Sequence, residues 1–149
     1  MDEATGLSSF RYFTRRVIEE INSCDRYDQR SFSLLVFELA GLKAFLSRFQ
    51  EKEIMQQHFR KIAQFFQENI RSTDVVSYLG DESFVILTPE QGEGKAYLIE
   101  RLKTIFENMR DDLEPQQVGQ ALSLKIRAAD YPGNHEIVQE LIREAEEVS

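Results

Sequence analysis

An α+β domain, with helices packed on a largely antiparallel sheet, is the fold class this chain predicts. Three observations predict it. Apolar residues recur at helical spacing in several separate stretches. Compact or alternating apolar runs of strand length lie between them. Two of those runs flank a short polar turn that contains Gly80. The 149 residues suit one domain and are enough to bury a real core.

Phe10, Phe13, Val17, Ile18 and Ile21 share one helical face, which predicts an amphipathic helix over residues 8–23. Ser31 to Leu39 (SFSLLVFEL) is a continuous apolar run and predicts a buried strand. From Leu42 to Ile70 the apolar positions fit one long helix or two abutting ones, with no Gly or Pro to interrupt them. Asp74–Leu79 and Phe84–Thr88 then flank Gly80-Asp81-Glu82-Ser83, the pattern of a β-hairpin. Gly92 and Gly94 punctuate the next loop, and Leu98, Ile99, Leu102, Ile105, Phe106 and Met109 mark a further helix. Leu122, Leu124, Ile126 and Ala128 alternate as a half-buried strand that Pro132-Gly133 stops. Ile137, Val138, Leu141, Ile142 and Ala145 predict a last helix with an acidic, solvated end.

Composition narrows the function classes. Apolar residues make up 42% and charged residues 30%, the ordinary globular range. With eleven Phe and no Trp, Phe and Leu must fill most of the core. The formal charge of −8 argues against a nucleic-acid polymer as partner, because phosphate neutralisation needs clustered Lys and Arg. A small nucleotide held by one or two local cations is compatible with it. Cys24 is the single cysteine, so neither an internal disulfide nor a CxxC metal frame is available, and a reducing cytoplasm suits that count. No apolar run reaches the roughly 18 residues of a membrane span. His58 and His135 stand alone, without a metal-pair spacing. The Phe-rich stretch over 42–66 is core and dimer contact in this reading, not a cofactor pocket.

Several landmarks in register resemble the GGDEF (diguanylate cyclase) family. Asp2 to Phe13 (DEATGLSSFRYF) is similar to the family's opening D-x-L-T-G-L-x-N-R-R-x-F. Phe37-Glu38-Leu39-Ala40-Gly41-Leu42-Lys43 sits where the family has a strand ending D-x-D-x-F-K. Leu79-Gly80-Asp81-Glu82-Ser83-Phe84 holds the position of L-G-G-D-E-F. The later strand and helix follow in family order, so the likeness covers nearly the whole chain, short of the family's closing A-L-Y-x-A-K helix and last strand. The resemblance implies the palm-like fold of nucleotidyl cyclases. It also implies an ancestral chemistry in which two domains each hold one GTP and each 3′-hydroxyl attacks the other's α-phosphate, with carboxylate-bound Mg²⁺ assisting. A single domain over 1–149, cut from a longer protein, is the expected organisation.

That catalytic signature is altered here. Glu38 replaces the metal-binding Asp, keeping the charge on a longer arm, and Mg²⁺ tolerates little distortion of its octahedron. Gly80-Asp81-Glu82-Ser83-Phe84 stands for Gly-Gly-Asp-Glu-Phe. Asp81 puts a Cβ and a negative charge where a triphosphate would approach, and Ser83 removes a carboxylate. Leu46 replaces the family's guanine-binding Asn, and Phe49–Met55 (FQEKEIM) lacks the Gly, His and Asp of the G-H-x-x-G-D turn. No functional Mg²⁺ site, no other cofactor and no turnover are expected. Glu38, Asp81 and Glu82 are then plain surface carboxylates at strand ends, or in the case of Glu38 and Glu82 a weak remnant of the metal site.

One ligand motif survives. Arg71-Ser72-Thr73-Asp74 matches the family's inhibitory R-x-x-D and ends five residues before Gly80, the family's spacing. An Arg fork can grip a phosphate or the guanine O6/N7 edge, while the carboxylate accepts from guanine N–H groups. Arg and Asp three apart at an exposed helix end can share one face. The plainer alternative is a local ion pair that ends the helix. By resemblance, the first reading is therefore an inactive GGDEF domain that receives cyclic di-GMP through Arg71 and Asp74. The second is a ligand-independent module that forms a homodimer or docks a signalling partner, and the third a divergent active cyclase.

Overall fold

A computed structural model describes residues 6–26, 31–71, 73–89, 93–113 and 122–131. The predicted helix over 137–145, the Pro132-Gly133 stop, His135, Gly92, Ser72 and the first residues of the opening motif lie outside them. The elements run α1 (Phe10–Arg26), β1 (Phe32–Ala40), α2 (Leu42–Leu46), α3 (Lys52–Gln67), β2 (Val75–Gly80), β3 (Ser83–Thr88), α4 (Glu93–Leu113) and β4 (Ser123–Tyr131). The four strands form one sheet in the order β2-β3-β1-β4, every neighbouring pair antiparallel. The predicted α+β class is the observed one. No helix among the described residues is long and apolar enough to cross a membrane.

β1 carries the architecture because both its edges and both its faces are covered. Leu35, Phe37 and Leu39 point to a core shared with α2, α3 and α4. Leu34 and Val36 point to the opposite core, closed by Phe13, Val17 and Cys24 of α1. A strand buried on both faces has to read as a continuous apolar run, which is what Phe32–Ala40 does. Phe37 stacks on Phe84 of β3 at 5.0 Å between centroids and packs tilted against Phe66 of α3 at 4.6 Å. Such aromatic pairs add about 0.5–1.5 kcal/mol each beyond area burial.

The stretch from Leu42 to Ile70 resolves into two helices, although neither Gly nor Pro lies between them. Phe49 is drawn towards the core, where it meets Phe45 edge-on at 5.5 Å and stacks on His58 at 3.9 Å. That anchor diverts the backbone, and α3 restarts after Glu51 in extended geometry. At the other end of the chain, α1 begins after Ser9, whose hydroxyl accepts the Tyr12 N–H at 3.1 Å as an N-cap. Gly94 proves to lie inside the first turn of α4, not in the loop before it.

Asp130 of β4 ties the start of α4 to the sheet. It accepts from the buried Ser33 hydroxyl at 2.6 Å and from the Lys95 ammonium at 2.8 Å. Burial pushes the Asp130 carboxyl up, but the Lys95 and Ser33 hydrogen bonds together outweigh it and hold it below the usual carboxylate value. A lowered folded-state pKa contributes stability above the unfolded carboxyl pKa, and that stability is lost as pH falls through the folded value. Asp130→Asn should therefore cost about 1 kcal/mol near neutrality. In urea titrations the gap to wild type should stay constant down to mildly acid pH and close only below the ordinary carboxylate range.

The β2–β3 hairpin closes through a two-residue loop, because Gly80 pairs with Ser83. Asp81 and Glu82 both adopt positive φ, 49° and 70°, after Gly80 at 90°. Two left-handed residues match the type I′ turn that the twist of a hairpin prefers, but a Cβ there costs roughly 1–2 kcal/mol per residue, less for Asp. Glu82 offsets the strain through its carboxylate, which accepts the Lys43 backbone N–H at 2.8 Å. Glu82→Gly should thus leave stability within about 0.5 kcal/mol of wild type, relief of strain cancelling the lost bond. Glu82→Ala keeps the strain and loses the bond, so chemical denaturation should show it less stable by about 1 kcal/mol.

Candidate functional site

The altered signature lies at one end of the sheet, where the hairpin turn meets the exit of β1 and the start of α2. Glu38 is half-buried near the end of β1, in register with Ser83 on one side and Lys125 on the other. The turn is sewn to this corner from several directions. Leu39 N–H donates to the Glu82 carbonyl at 2.9 Å, and Glu82 N–H donates to the Tyr78 hydroxyl at 3.3 Å. The Lys43 ammonium donates to the Asp81 carboxylate, forming an exposed ion pair. That hydrogen bond and charge raise the Lys43 pKa and lower that of Asp81. Tyr78 packs edge-on against Phe59 and tilted against Phe84, and burial pushes its phenol up.

The two carboxylates of the turn are thus engaged with the protein itself. Asp81 faces the ammonium of Lys43, Glu82 holds the backbone of the same residue, and position 83 offers only a hydroxyl. Among the described residues, no three His, Cys, Asp or Glu side chains come together as a metal-ion group. Mg²⁺ needs several oxygens in a near-ideal octahedron. With Asp81 and Glu82 held by Lys43 and only a hydroxyl at position 83, the donor set of this turn does not fit that ion.

The neighbouring corner, where the resemblance expects a base-recognition surface, is apolar and occupied. Leu46 and Phe49 pack against the core. The His58 ring lies under Phe49 with its Nδ1 at 2.9 Å from the Ile54 carbonyl oxygen, so the imidazole is part of an aromatic stack.

The Arg71–Asp74 motif sits at the opposite end of β2, about 20 Å away along the strand. It is not the last turn of a helix, since α3 stops at Gln67. The two residues instead close a turn of their own. Asp74 N–H donates to the Arg71 carbonyl at 3.0 Å, and the Arg71 N–H donates to Asp74 Oδ2 at 3.2 Å. The expectation that both residues are exposed holds for Arg71 only. Asp74 is 7% exposed, because the turn folds its carboxylate inward at the start of β2. Its Oδ1 is buried with no hydrogen-bond partner among the described residues, an unusual state for a carboxylate oxygen.

A residue that sequence reasoning missed completes this corner. Arg101 of α4 donates its Nε–H to the carbonyl of Asn69, two residues before Arg71. Its side chain is exposed, so a second guanidinium stands beside the turn. No local signal marks it, as the 29 residues between Arg71 and Arg101 are bridged by the packing of α3 against α4.

Comparison with known proteins agrees with this geometry. The family described as "Diguanylate cyclase, GGDEF domain" matches residues 1–148. Among solved structures, the chain is similar to a sensory box/GGDEF family protein from Caulobacter crescentus, at TM-score 0.70 and 17% identity, over 99% of this chain and 93% of that one. It is also similar to the GGDEF domain of DgcB from Caulobacter crescentus in complex with c-di-GMP, at TM-score 0.66 and 15% identity, over 93% and 83% of the two chains. A third is the diguanylate cyclase SiaD of Pseudomonas aeruginosa in complex with its activator SiaC, at TM-score 0.65 and 19% identity, over 98% of this chain and 57% of that one. Identities this low speak for a shared fold alone. No curated protein sequence matches the chain. The family match spans nearly every residue, and the hairpin, sheet and helices stand in the expected places: this chain belongs to the GGDEF family.

Proposed function

We propose that this chain is a catalytically inactive GGDEF domain that receives cyclic di-GMP at the Arg71–Asp74 turn. The observation that carries the proposal is the state of Asp74. It is a buried carboxylate with one oxygen engaged by the turn and the other without a donor, in a turn that carries the exposed Arg71 side chain and is preceded by Asn69, whose carbonyl holds Arg101. Guanine N–H groups supply the donors such an oxygen lacks, and guanidinium forks suit the phosphates and the O6/N7 edge of the same ligand. The c-di-GMP complex of the DgcB neighbour supports this ligand class. Access to Oδ1 requires the turn to yield slightly as the ligand arrives.

Loss of turnover is the companion proposal. Asp81 and Glu82 are satisfied by Lys43, Ser83 lacks a carboxylate, and Leu46 and Phe49 present carbon where a base edge needs hydrogen bonds. Incubation with GTP and either Mg²⁺ or Mn²⁺ should give no cyclic di-GMP above a no-enzyme control by mass spectrometry. The double substitution Ser83→Glu with Asp81→Gly should not revive it, since the guanine side stays closed. Product from either protein would overturn the inactive reading.

A second reading, a ligand-independent dimerisation or docking module, is favoured by the same burial of Asp74, which serves the turn whether or not a ligand exists. Calorimetric titration with cyclic di-GMP separates the two. The receptor reading expects binding that Arg71→Ala, Arg101→Ala and Asp74→Asn each weaken roughly ten- to a hundred-fold, the effect of losing one charge-assisted contact. Arg71→Lys should also bind poorly, because an ammonium keeps the charge but not the planar fork. Glu82→Gln, at the far end of β2, should matter little. Absence of heat at near-millimolar ligand would transfer the assignment to the docking module.

A further inference from the structure

The outward face of α1 carries a pattern that neither the fold nor the ligand site uses. Its inward face, Phe13, Val17 and Cys24, is buried against the sheet. On the outward side Arg11, Tyr12, Arg15 and Arg16 fall at positions one turn apart, with Ile18 following. Tyr12 is 38% exposed and Ile18 48% exposed, two large apolar side chains left in water on one helix face. The Arg15 guanidinium lies 5.3 Å from the centre of the Tyr12 ring. Arg16 makes only long contacts, 3.8 Å to Glu19 and 3.6 Å to Glu20, and its Nε–H is buried without an acceptor among the described residues. Neither Arg11 nor Arg15 has a carboxylate partner among the described residues. A cleft of about 390 Å³ opens beside Tyr12 and Arg16, bounded across from the helix by Thr73 and Pro89.

The placement of these charges is costly for the helix. The first turn of α1 contains no acidic residue, and Arg11 lies within that turn, where the helix dipole is positive. The chain carries 26 acidic against 18 basic residues, so Arg11 and Arg15, without a carboxylate partner among the described residues, run against its own composition. We propose that this face docks an acidic amphipathic segment of a partner protein. Carboxylates one turn apart meet Arg11 and Arg15, and separate apolar side chains to either side of them rest on Tyr12 and on Ile18. The mixture of exposed apolar and cationic groups on one short face favours a protein segment over a nucleic-acid backbone, which takes a longer run of cations and is repelled by the chain's net charge. This proposal does not depend on the cyclic di-GMP reading.

Fluorescence anisotropy on the full chain tests it, with a labelled helical peptide in which Glu residues one turn apart flank a Leu. The peptide should bind, and affinity should fall about ten-fold or more on replacing its Glu by Gln, or on the double charge reversal Arg11→Glu with Arg15→Glu. Tyr12→Ala should weaken binding at unchanged salt dependence. The charge-reversed protein should stay folded and melt cooperatively close to wild type, because both side chains are exposed and exposed substitutions shift stability little. Loss of binding together with retained stability marks a docking face and not a structural role. Equal binding of the Glu and Gln peptides would overturn the proposal, as would binding indifferent to charge reversal. Preferential binding of an oligonucleotide or anionic vesicles would overturn it too, and so would a homodimer that the reversal dissociates.

Discussion

Every part of this molecule is referenced to β1, an inner strand that, like its neighbour β3, is hydrogen-bonded along both edges and covered on both faces. Its partners β3 and β4 are antiparallel, and a slip of one residue in either would turn Phe37 and Leu35 from one core into the other. Each fully buried Phe or Leu on this strand is worth about 1.5–3 kcal/mol of apolar burial. Register is therefore enforced by an energy far larger than any single polar contact at the strand ends.

That hierarchy explains the condition of the signature corner. The register that stacks Phe37 on Phe84 also sets Glu38 opposite Ser83, so the hairpin turn must project next to the start of α2 whatever residues it contains. Asp81 and Glu82 accept left-handed backbone there because the cores on either side outweigh the strain of the turn. Their carboxylates then settle on the nearest donors, the ammonium and the backbone N–H of Lys43. The Lys43–Asp81 pair is exposed and contributes little to stability by itself. Its consequence is electrostatic occupancy, in which the cation nearest the turn already has a carboxylate.

The two ends of β2 have been treated differently by this architecture. At the signature end the carboxylates of Asp81 and Glu82 are matched with the donors of Lys43. At the other end the Arg71–Asp74 turn holds a carboxylate oxygen buried and without a donor, with Arg101 brought beside it by the packing of α4 on α3. Polar satisfaction at one end and its absence at the other is the contrast on which the functional proposal rests.

The sequence by itself determined the α+β class, the order of the described elements and the burial of β1, because periodic apolar patterning directly reports which faces must leave water. It also determined which chemical groups stand at the altered signature, since Glu38, Asp81, Glu82 and Ser83 lie in short motifs whose spacing is local. Tertiary structure alone decided the rest. The break after Leu46 comes from Phe49 seeking the core and not from any helix-breaking residue. The inward turn of Asp74 comes from a backbone closure that periodicity does not describe, and the arrival of Arg101 at Asn69 from contact between distant helices. Hydrophobic periodicity encodes the direction in which a side chain faces. It does not encode which partner waits there, and hydrogen bonds and charge pairs form only after packing has brought remote segments within reach.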